Sequence, residues 1–304
     1  MREPRARRSE LATPASSERM CEKAPSAGAD LVFLDLEDAC APNVKEAARG
    51  IAVGALTGLD WGTTVRAVRV NGLETPWCHG DIIEVVTGAR DALDVLIVPK
   101  VRSARDVWWV DVLLSQLEEK LGLTKRIGLE VLIEDAEGLL NALEIAKSSD
   151  RLEALIFGAG DLSASLHARV DGNFEPAVAY PGDFWHFARV NVLAAARAGL
   201  VDAIDAPYPA YQDPDGYRES ALAASALGYD GKWAIHPAQV PIANEVFSPT
   251  SEEVAEARAS VAAYREAEAG GVGAIGRDGR LVDAAHMRLA ENTLHKALLA
   301  GGST

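Results

Sequence analysis

LVFLDLEDA, residues 31–39, is the stretch that decides the fold. It begins with an apolar run and ends in three acids, Asp35, Glu37 and Asp38. A short apolar run of this kind is typical of a strand in a parallel sheet that is covered on both faces. Acids at its carboxyl end predict that this end opens onto a functional surface.

The same design recurs along the chain, with helical patterns between the apolar runs. This alternation favours βα units and a parallel sheet. The predicted strands are residues 10–14, 31–36, 64–70, 94–98, 127–133, 152–157, 202–206 and 232–235. The predicted helices include residues 16–27, 44–55, 104–120, 137–147, 184–198 and 217–227. Eight units predict an α/β fold, a closed (β/α)8 TIM barrel rather than an open doubly wound sheet.

The pattern changes after the eighth predicted strand. Residues 251–269 form a charged, alanine-rich helical segment, residues 270–283 resemble a glycine-rich hairpin, and residues 284–300 form another helical segment. We therefore predict a catalytic barrel over residues 1–248 and a C-terminal helix-hairpin-helix extension over residues 249–304.

Charge and cysteine content limit the partners of the chain. With 45 acidic and 30 basic residues the net charge is -15, which would repel nucleic acid and anionic membranes. We expect neither as a partner, and no 18-residue apolar run predicts a membrane span. Cys21, Cys40 and Cys78 form no CxxC pair, so we expect no disulfide framework, no zinc site and a cytoplasmic location.

Polar residues gather where the predicted strands end, and in a barrel these ends form the active face. They are Asp35, Glu37 and Asp38 after strand two, Arg69 and Asn71 after strand three, Lys100 after strand four, Glu134 after strand five, Asp161 after strand six, Asp205 after strand seven and His236 after strand eight.

Clustered carboxylates repel one another unless a cation or protons compensate. Oxygen ligands suit a hard divalent ion, Mg2+ or alternatively Mn2+. Arg69 and Lys100 would then bind a substrate carboxylate or thioester oxygen. The alternatives are helix capping for single aspartates, ion pairs for the two cations, and a Schiff-base role for Lys100. Arg8, in the basic leader MREPRARR, is either solvated or a substrate contact.

The motifs in their order resemble one family, the coenzyme A (CoA) ester lyases of the citrate lyase beta-subunit and malyl-CoA lyase group, within the HpcH/HpaI aldolase superfamily. The resemblance covers nearly the whole chain. It is carried by ARRSELATPASSERM (6–20), GADLVFLDLEDACAPNVKEAAR (28–49), RVNGLETPW (69–77), VPKV (98–101), VLIEDAEGLLNALEIA (131–146), IFGAGDLSASL (156–166), GYDGKWAIHPAQVPIANEVFSP (228–249) and DGRLVDAAHMRLA (278–290).

The resemblance implies roles for particular residues. Glu134 and Asp161 would ligate Mg2+, and Arg69 would contact the substrate carboxylate and the enolate or thioester oxygen. Glu37 and Asp38 match a pair that positions waters on the metal. Asp283 matches an acid/base residue that an adjacent subunit delivers, which implies a homo-oligomer, a trimer or hexamer. Asp135 departs from the pattern, because a small hydroxyl residue is expected there.

The reaction implied is a reversible Claisen-type cleavage of malyl-CoA, methylmalyl-CoA or citramalyl-CoA. Its products would be acetyl- or propionyl-CoA and a 2-oxo acid, glyoxylate or pyruvate. Three alternatives remain open: a malyl-CoA thioesterase, a citrate lyase beta subunit acting on an acyl-carrier thioester, and an inactive barrel that serves as a scaffold.

Overall fold

The computed structural model describes residues 4–277 and 279–301. Its eight parallel strands follow one another in chain order, and the first pairs with the eighth to close the barrel. The predicted (β/α)8 barrel is therefore confirmed. The described residues divide into two compact units, residues 7–245 on the one hand and residues 4–6 with 246–301 on the other.

The barrel strands are short and almost wholly buried. They are β1 (Ser9–Pro14), β2 (Leu31–Asp35), β3 (Val65–Arg69), β4 (Val95–Val98), β5 (Gly128–Ile133), β6 (Leu152–Phe157), β7 (Asp202–Asp205) and β8 (Gly231–Ala234). The helices of the same part of the chain are α1 (Glu18–Lys23), α2 (Lys45–Gly58), α3 (Cys78–Ala89), α4 (Ala104–Leu121), α5 (Ala136–Leu140), α6 (Ala142–Ala146), α7 (Ala159–Ser165), α8 (His186–Gly199), α9 (Pro214–Leu227) and α10 (Val240–Val246).

Alternate residues of each strand fill the barrel interior. The apolar ones pack into one cluster: Leu31, Phe33, Ala67, Val95, Ile97, Leu132, Ala154, Ile156, Ile204 and Trp233. The two-residue period carries this inward direction up each strand to its carboxyl end. Asp35, Arg69 and Glu134 continue the inward rows of β2, β3 and β5, so the fold itself directs them to one place.

A group of ion pairs closes the amino-terminal end of the barrel. The buried guanidinium of Arg7 lies 2.7 Å from Glu130 and 3.0 Å from Asp202, and it also pairs with Glu153. Polar side chains at this end fill the space between strands, because the interior of an eight-stranded barrel is a packed core rather than a channel. The open, functional end is the opposite one.

Two sequence predictions for helices need correction. The helix predicted over residues 137–147 is two short helices, α5 and α6, which meet at Asn141. The Asn141 amide donates to the main-chain oxygen of Arg102 at 2.9 Å, which ties the break to the β4–α4 loop. The predicted helix over 16–27 changes to a 3₁₀ turn at Ala24–Ala27, where Pro25 enters the chain.

The second unit has its own elements and its own small core. It contains α11 (Ser251–Ala269), the antiparallel strands β9 (Ala274–Arg277) and β10 (Arg280–Asp283), and α12 (Ala284–Leu299). Its buried apolar residues are Ala257, Val261, Tyr264, Val282, Met287 and Ala290. Among the described residues of both units, no helix has both the length and the apolar character needed to cross a membrane.

Candidate active site

Arg69 lies at the centre of the polar face of the barrel. Its Nε and Nη2 donate to the two oxygens of Asp35 at 2.7 and 2.6 Å, and its Nη1 lies 2.9 Å from Glu37 Oε2. Burial alone would raise the pKa of Asp35, but the charge and hydrogen bonds of Arg69 hold it below its ordinary value. The two-pronged pair fixes the plane of the guanidinium.

Two aromatic rings lie below the same guanidinium. The Arg69 Cζ is 5.3 Å from the centroid of the Trp233 ring and 5.9 Å from that of Phe33, and the two rings are themselves 4.4 Å apart. These distances are in the range of cation–π attraction, which orients a cation on a ring face. Arg69 is therefore held from one side by carboxylates and from below by rings.

Glu134, just after β5, is buried and close to other carboxylates. Burial, together with the charges of Glu37 and Asp161, raises the pKa of Glu134 to about 8. One of its oxygens accepts the main-chain N–H of Lys100 at 2.9 Å. Its carboxylate lies against Gly158, where an added Cβ would be 2.8 Å from Glu134 Oε2, so only glycine leaves room for this orientation.

Lys100 connects the carboxylates of this face. Its ammonium hydrogen-bonds Glu37 and lies 3.5 Å from Asp161 and 3.8 Å from Asp38. Burial disfavours the charge, but the bond to Glu37 and the other acids raise the pKa of Lys100 above its ordinary value. A Schiff-base lysine must be a neutral amine, so this environment argues against that alternative.

The loop that carries Glu37 is held by buried polar groups. Lys45 Nζ donates to the main-chain oxygens of Leu36 at 3.0 Å and Glu37 at 2.6 Å. Asn71 donates to the same Leu36 oxygen at 3.1 Å and to Asp81 at 2.7 Å. The loop is therefore set in place before any ligand arrives.

Two observations indicate that the carboxylates of this face can bind a divalent ion. Glu37 Oε2 is buried, and its 2.9 Å contact with Arg69 Nη1 is an ion pair without hydrogen-bond geometry, so this oxygen has capacity for a further donor such as a metal-bound water. Glu134 and Asp161 are two carboxylates held near each other, and Asp161 is 39% exposed. The described residues contain no group of three or more His, Cys, Asp or Glu side chains arranged for a metal. Two carboxylates suit Mg2+, which keeps several water ligands.

Arg8 lies at the wrong end of the barrel for the predicted substrate contact. It precedes β1, and its guanidinium and main-chain N–H bond Asp30, which precedes β2, at 2.7–2.9 Å. Both residues stand at the amino-terminal ends of their strands, while the candidate site is at the carboxyl ends. The prediction that Arg8 binds substrate at this site is therefore wrong.

Asp205 was also expected at the site, and it is not there. Its neighbour Ile204 faces the barrel interior, so Asp205 points outward, where it bonds Lys232 Nζ at 2.5 Å and Arg189 Nε at 3.1 Å. This is a buried ion group between the strands and the surrounding helices.

Asp283 belongs to the second unit, where it caps a helix. Its carboxylate accepts the N–H of Ala285 at 2.9 Å and lies 2.8 Å from His286 Nδ1. The hydrogen bond from His286 and the main-chain bonds lower the pKa of Asp283. Its predicted role in acid/base chemistry stays a prediction.

The geometry invites comparison with known proteins. Residues 8–237 match the family described as HpcH/HpaI aldolase/citrate lyase. The chain belongs to this family. The description of the family names aldolase and citrate lyase, so the predicted class of enzyme, a carbon–carbon lyase, is confirmed together with the resemblance.

Relatives within the aldolase/citrate lyase family span nearly the whole chain. An L-malyl-CoA/beta-methylmalyl-CoA lyase of Rhodobacter capsulatus is 40% identical over 97% of this chain and 96% of that protein. A (3S)-malyl-CoA thioesterase of Cereibacter sphaeroides is 39% identical over 95% and 94%. The crystal structure of protein CitE from Mycobacterium tuberculosis, in complex with magnesium, acetoacetate and coenzyme A, has a TM-score of 0.75, 31% identity, and coverage of 96% and 98%.

Sequence reasoning placed Asp35 at a strand end but missed that it pairs with Arg69, and it missed Lys45 and Gly158 altogether. The signal for Asp35 is its position in the strand: alternate residues point to the same side, so Asp35 points inward with Leu31 and Phe33. Nothing in the local sequence marks Lys45 or Gly158, because the groups that they contact come from other segments of the chain.

Proposed function

We propose that this chain is a Mg2+-dependent CoA-ester lyase that reversibly cleaves malyl-CoA or β-methylmalyl-CoA to acetyl- or propionyl-CoA and glyoxylate. The observation that carries the proposal is Arg69, fixed between Asp35, Glu37 and two aromatic rings, beside the carboxylates of Glu134 and Asp161. Support for the substrate comes from the 40% identical malyl-CoA lyase.

Glu134 and Asp161 would hold the Mg2+ ion. When bound, the ion would supply Lewis-acid polarisation of the hydroxyl and carboxylate oxygens of the substrate. Support comes from the repulsion between the buried Glu134 and the part-exposed Asp161, whose charge a cation compensates, and from the magnesium in the CitE complex. Glu37, whose Oε2 is ion-paired with Arg69 but accepts no hydrogen bond from the described residues, would orient water in the same place.

Cleavage breaks the bond between the hydroxyl-bearing carbon and the α-carbon of the thioester. The hydroxyl group loses its proton to a water molecule, and its O–H electron pair forms the C=O group of glyoxylate. The electron pair of the broken carbon–carbon bond passes to the thioester, which becomes an enolate with negative charge on oxygen. Arg69 would stabilise that oxygen, and because its guanidinium is already held in plane, little reorganisation is needed as the charge develops. Lys100 would add positive charge near the carboxylate of the substrate.

Asp283 would return a proton to the enolate carbon, and we propose that it does so in the site of an adjacent subunit. The protein would then be a homo-oligomer, and its C-terminal extension, residues 249–304, would cover that site. In the second unit Asp283 has a lowered pKa through His286, which favours the carboxylate and suits proton removal in the condensation direction.

The test is to incubate the purified protein with malyl-CoA, methylmalyl-CoA or citramalyl-CoA and Mg2+, with and without EDTA. Mass spectrometry should find acetyl- or propionyl-CoA and glyoxylate in amounts equal to the substrate consumed, and EDTA should abolish turnover. Pyruvate in place of glyoxylate would change the oxo acid but keep the reaction. No carbon–carbon cleavage of any of the three esters would refute the proposal.

A second candidate is thioester hydrolysis, which the 39% identical malyl-CoA thioesterase favours. The same site could hold water against the thioester carbonyl in place of the enolate. Free CoA and malate as the products would establish this candidate. If the true substrate is an acyl-carrier thioester, turnover should occur only when a carrier protein is supplied. If the chain is an inactive scaffold, it should bind no Mg2+.

A further inference from the structure

A buried acid lies inside the barrel, below the candidate site and outside the mechanism described so far. Glu10 of β1 is fully buried and is paired in register with Trp233 of β8. The indole Nε1 of Trp233 donates to Glu10 Oε2 at 2.8 Å. This is a direct bond between a buried carboxyl group and one of the rings beneath Arg69.

The other oxygen of Glu10 faces a second buried acid. Glu10 and Glu130 are both fully buried and close enough for the charge of Glu130 to raise the pKa of Glu10, and Glu10 Oε1 and Glu130 Oε2 each lack a hydrogen-bond donor among the described residues. Two buried carboxylates in contact repel strongly, and unpaired buried oxygens are costly. A single proton between the two groups removes both problems.

The position of Arg7 decides which acid keeps that proton. Arg7 Nε donates to Glu130 Oε1 at 2.7 Å, so the positive charge stabilises Glu130 as the carboxylate. Burial and the charge of Glu130 raise the pKa of Glu10 well above its ordinary value. A neutral Glu10 donates its O–H to Glu130 and accepts the N–H of Trp233, so both oxygens that lack a donor in this pair of acids gain a partner.

We propose that Glu10 is a protonated carboxylic acid that fixes the indole of Trp233 beneath Arg69, and that it is thereby a positioning residue for the reaction. The ring is 5.3 Å from the Arg69 Cζ, so its tilt determines how the guanidinium rests on the ring face. The catalytic half of this proposal depends on the role proposed for Arg69, while the protonation of Glu10 does not.

Two variants of Glu10 separate hydrogen bonding from charge. In Glu10→Gln the amide oxygen accepts from Trp233 and the NH2 group donates to Glu130, so malyl-CoA turnover should stay within about threefold of wild type. Glu10→Leu keeps the approximate volume but frees the indole, and kcat should fall by about tenfold, with KM nearly unchanged, because a transition-state contact of Arg69 is weakened.

A double-variant comparison tests whether Glu10 acts through Trp233. Trp233→Phe keeps a ring but has no N–H, so the combined Glu10→Leu/Trp233→Phe protein should be no slower than Trp233→Phe alone. Additive losses would overturn the route through the indole. If Glu10→Gln loses as much kcat as Glu10→Leu, then hydrogen bonding by residue 10 is not what positions Trp233, and the proposal is overturned.

An infrared measurement needs no activity. The difference spectrum of wild type minus Glu10→Gln at neutral pH should show the C=O band of a protonated carboxylic acid in a dry environment. A carboxylate band in its place would overturn the proposal, even if Glu10→Leu does not fold. If the wild type does not cleave malyl-CoA, the proposed function fails, and this spectrum still decides the state of Glu10.

Discussion

Asp35 and Arg69 form a two-pronged ion pair across neighbouring strands of the barrel, with N–O distances of 2.7 and 2.6 Å. The two residues are direct partners in the β2–β3 register. The pair therefore follows from the strand alignment, and it fixes the arginine before a substrate binds.

Asp35→Asn should impair both stability and turnover. It leaves the buried guanidinium of Arg69 with a weaker partner, and breaking a buried ion pair costs about 3 kcal/mol. We expect a loss of about that size in the free energy of unfolding and about a 100-fold loss in kcat/KM, since the arginine is no longer held in plane. Glu245→Gln breaks the exposed pair with Arg218 and is the control, with a change below about 0.5 kcal/mol. Equal effects of the two variants would contradict the role of Asp35.

Gly158→Ala should displace the carboxylate of Glu134. The added Cβ would lie 2.5 Å from Glu134 Cβ and 2.8 Å from its Oε2, distances that require a shift. We expect weaker Mg2+ binding by calorimetry and at least about a tenfold loss of kcat, because small misplacements at a site are costly. Gly54→Ala in α2, where an added Cβ meets nothing within 4 Å, is the matched control and should leave both unchanged.

Asp161→Asn should remove activity chiefly by lowering the affinity of the site for Mg2+. The carboxylate is a better ligand for Mg2+ than an amide, so the Mg2+ concentration for half-maximal rate should rise by about tenfold or more. Asp38→Asn, at a more exposed side chain of the same face, should shift it less. Unchanged Mg2+ affinity in Asp161→Asn would argue against the assignment of this ligand.

Asp283 can be tested by mixing subunits. Glu134→Gln and Asp283→Asn should each be nearly inactive alone. If Asp283 serves the site of a neighbour, a refolded mixture of the two contains some sites with both residues intact, and it should regain about a quarter of the wild-type rate. No recovery in a mixed oligomer, or full activity in a strict monomer, would show that each site uses its own Asp283.

Glu10→Gln should change the pH dependence of stability. The pKa of Glu10 is raised in the folded protein. In the unfolded chain Glu10 loses its proton when the pH exceeds its ordinary pKa of 4.5, whereas the folded protein keeps that proton. Wild-type stability therefore falls as the pH rises from there towards the folded pKa, by about 1.4 kcal/mol for each unit of pKa shift. The variant should lack this fall. In urea unfolding, the free energy of unfolding of the variant minus that of the wild type should therefore be larger at pH 8 than at pH 5. Parallel curves would contradict a retained proton.

The barrel was predictable because its strands are local apolar runs that end in acids. Closure in chain order follows from eight such units. The division of helix 137–147 was not predictable, since residues 137–147 have a helical pattern throughout and the main-chain oxygen that holds Asn141 comes from the distant Arg102.

The site was predictable only as a set of residues at one face. Strand ends point to Arg69, Glu134 and Asp161 together, but the partner of each depends on register and on direction across the sheet. Asp205 shows where prediction from strand ends fails. Neighbouring residues of a strand point to opposite sides, and Asp205 is the residue that points away from the interior. Glu10 shows this failure more strongly, since its contact with Trp233 joins residues that are 223 positions apart.

Lys100 contributes to the site in two ways, through its side chain to Glu37 and through its main-chain N–H to Glu134. Replacing the side chain removes only the first contribution. A scan of all single substitutions would therefore underestimate position 100, since 18 of the 19 replacements keep the N–H. Proline would remove the N–H, but it cannot adopt the φ of 54° at Lys100, so no single natural substitution isolates the part that the peptide backbone plays in presenting the acid.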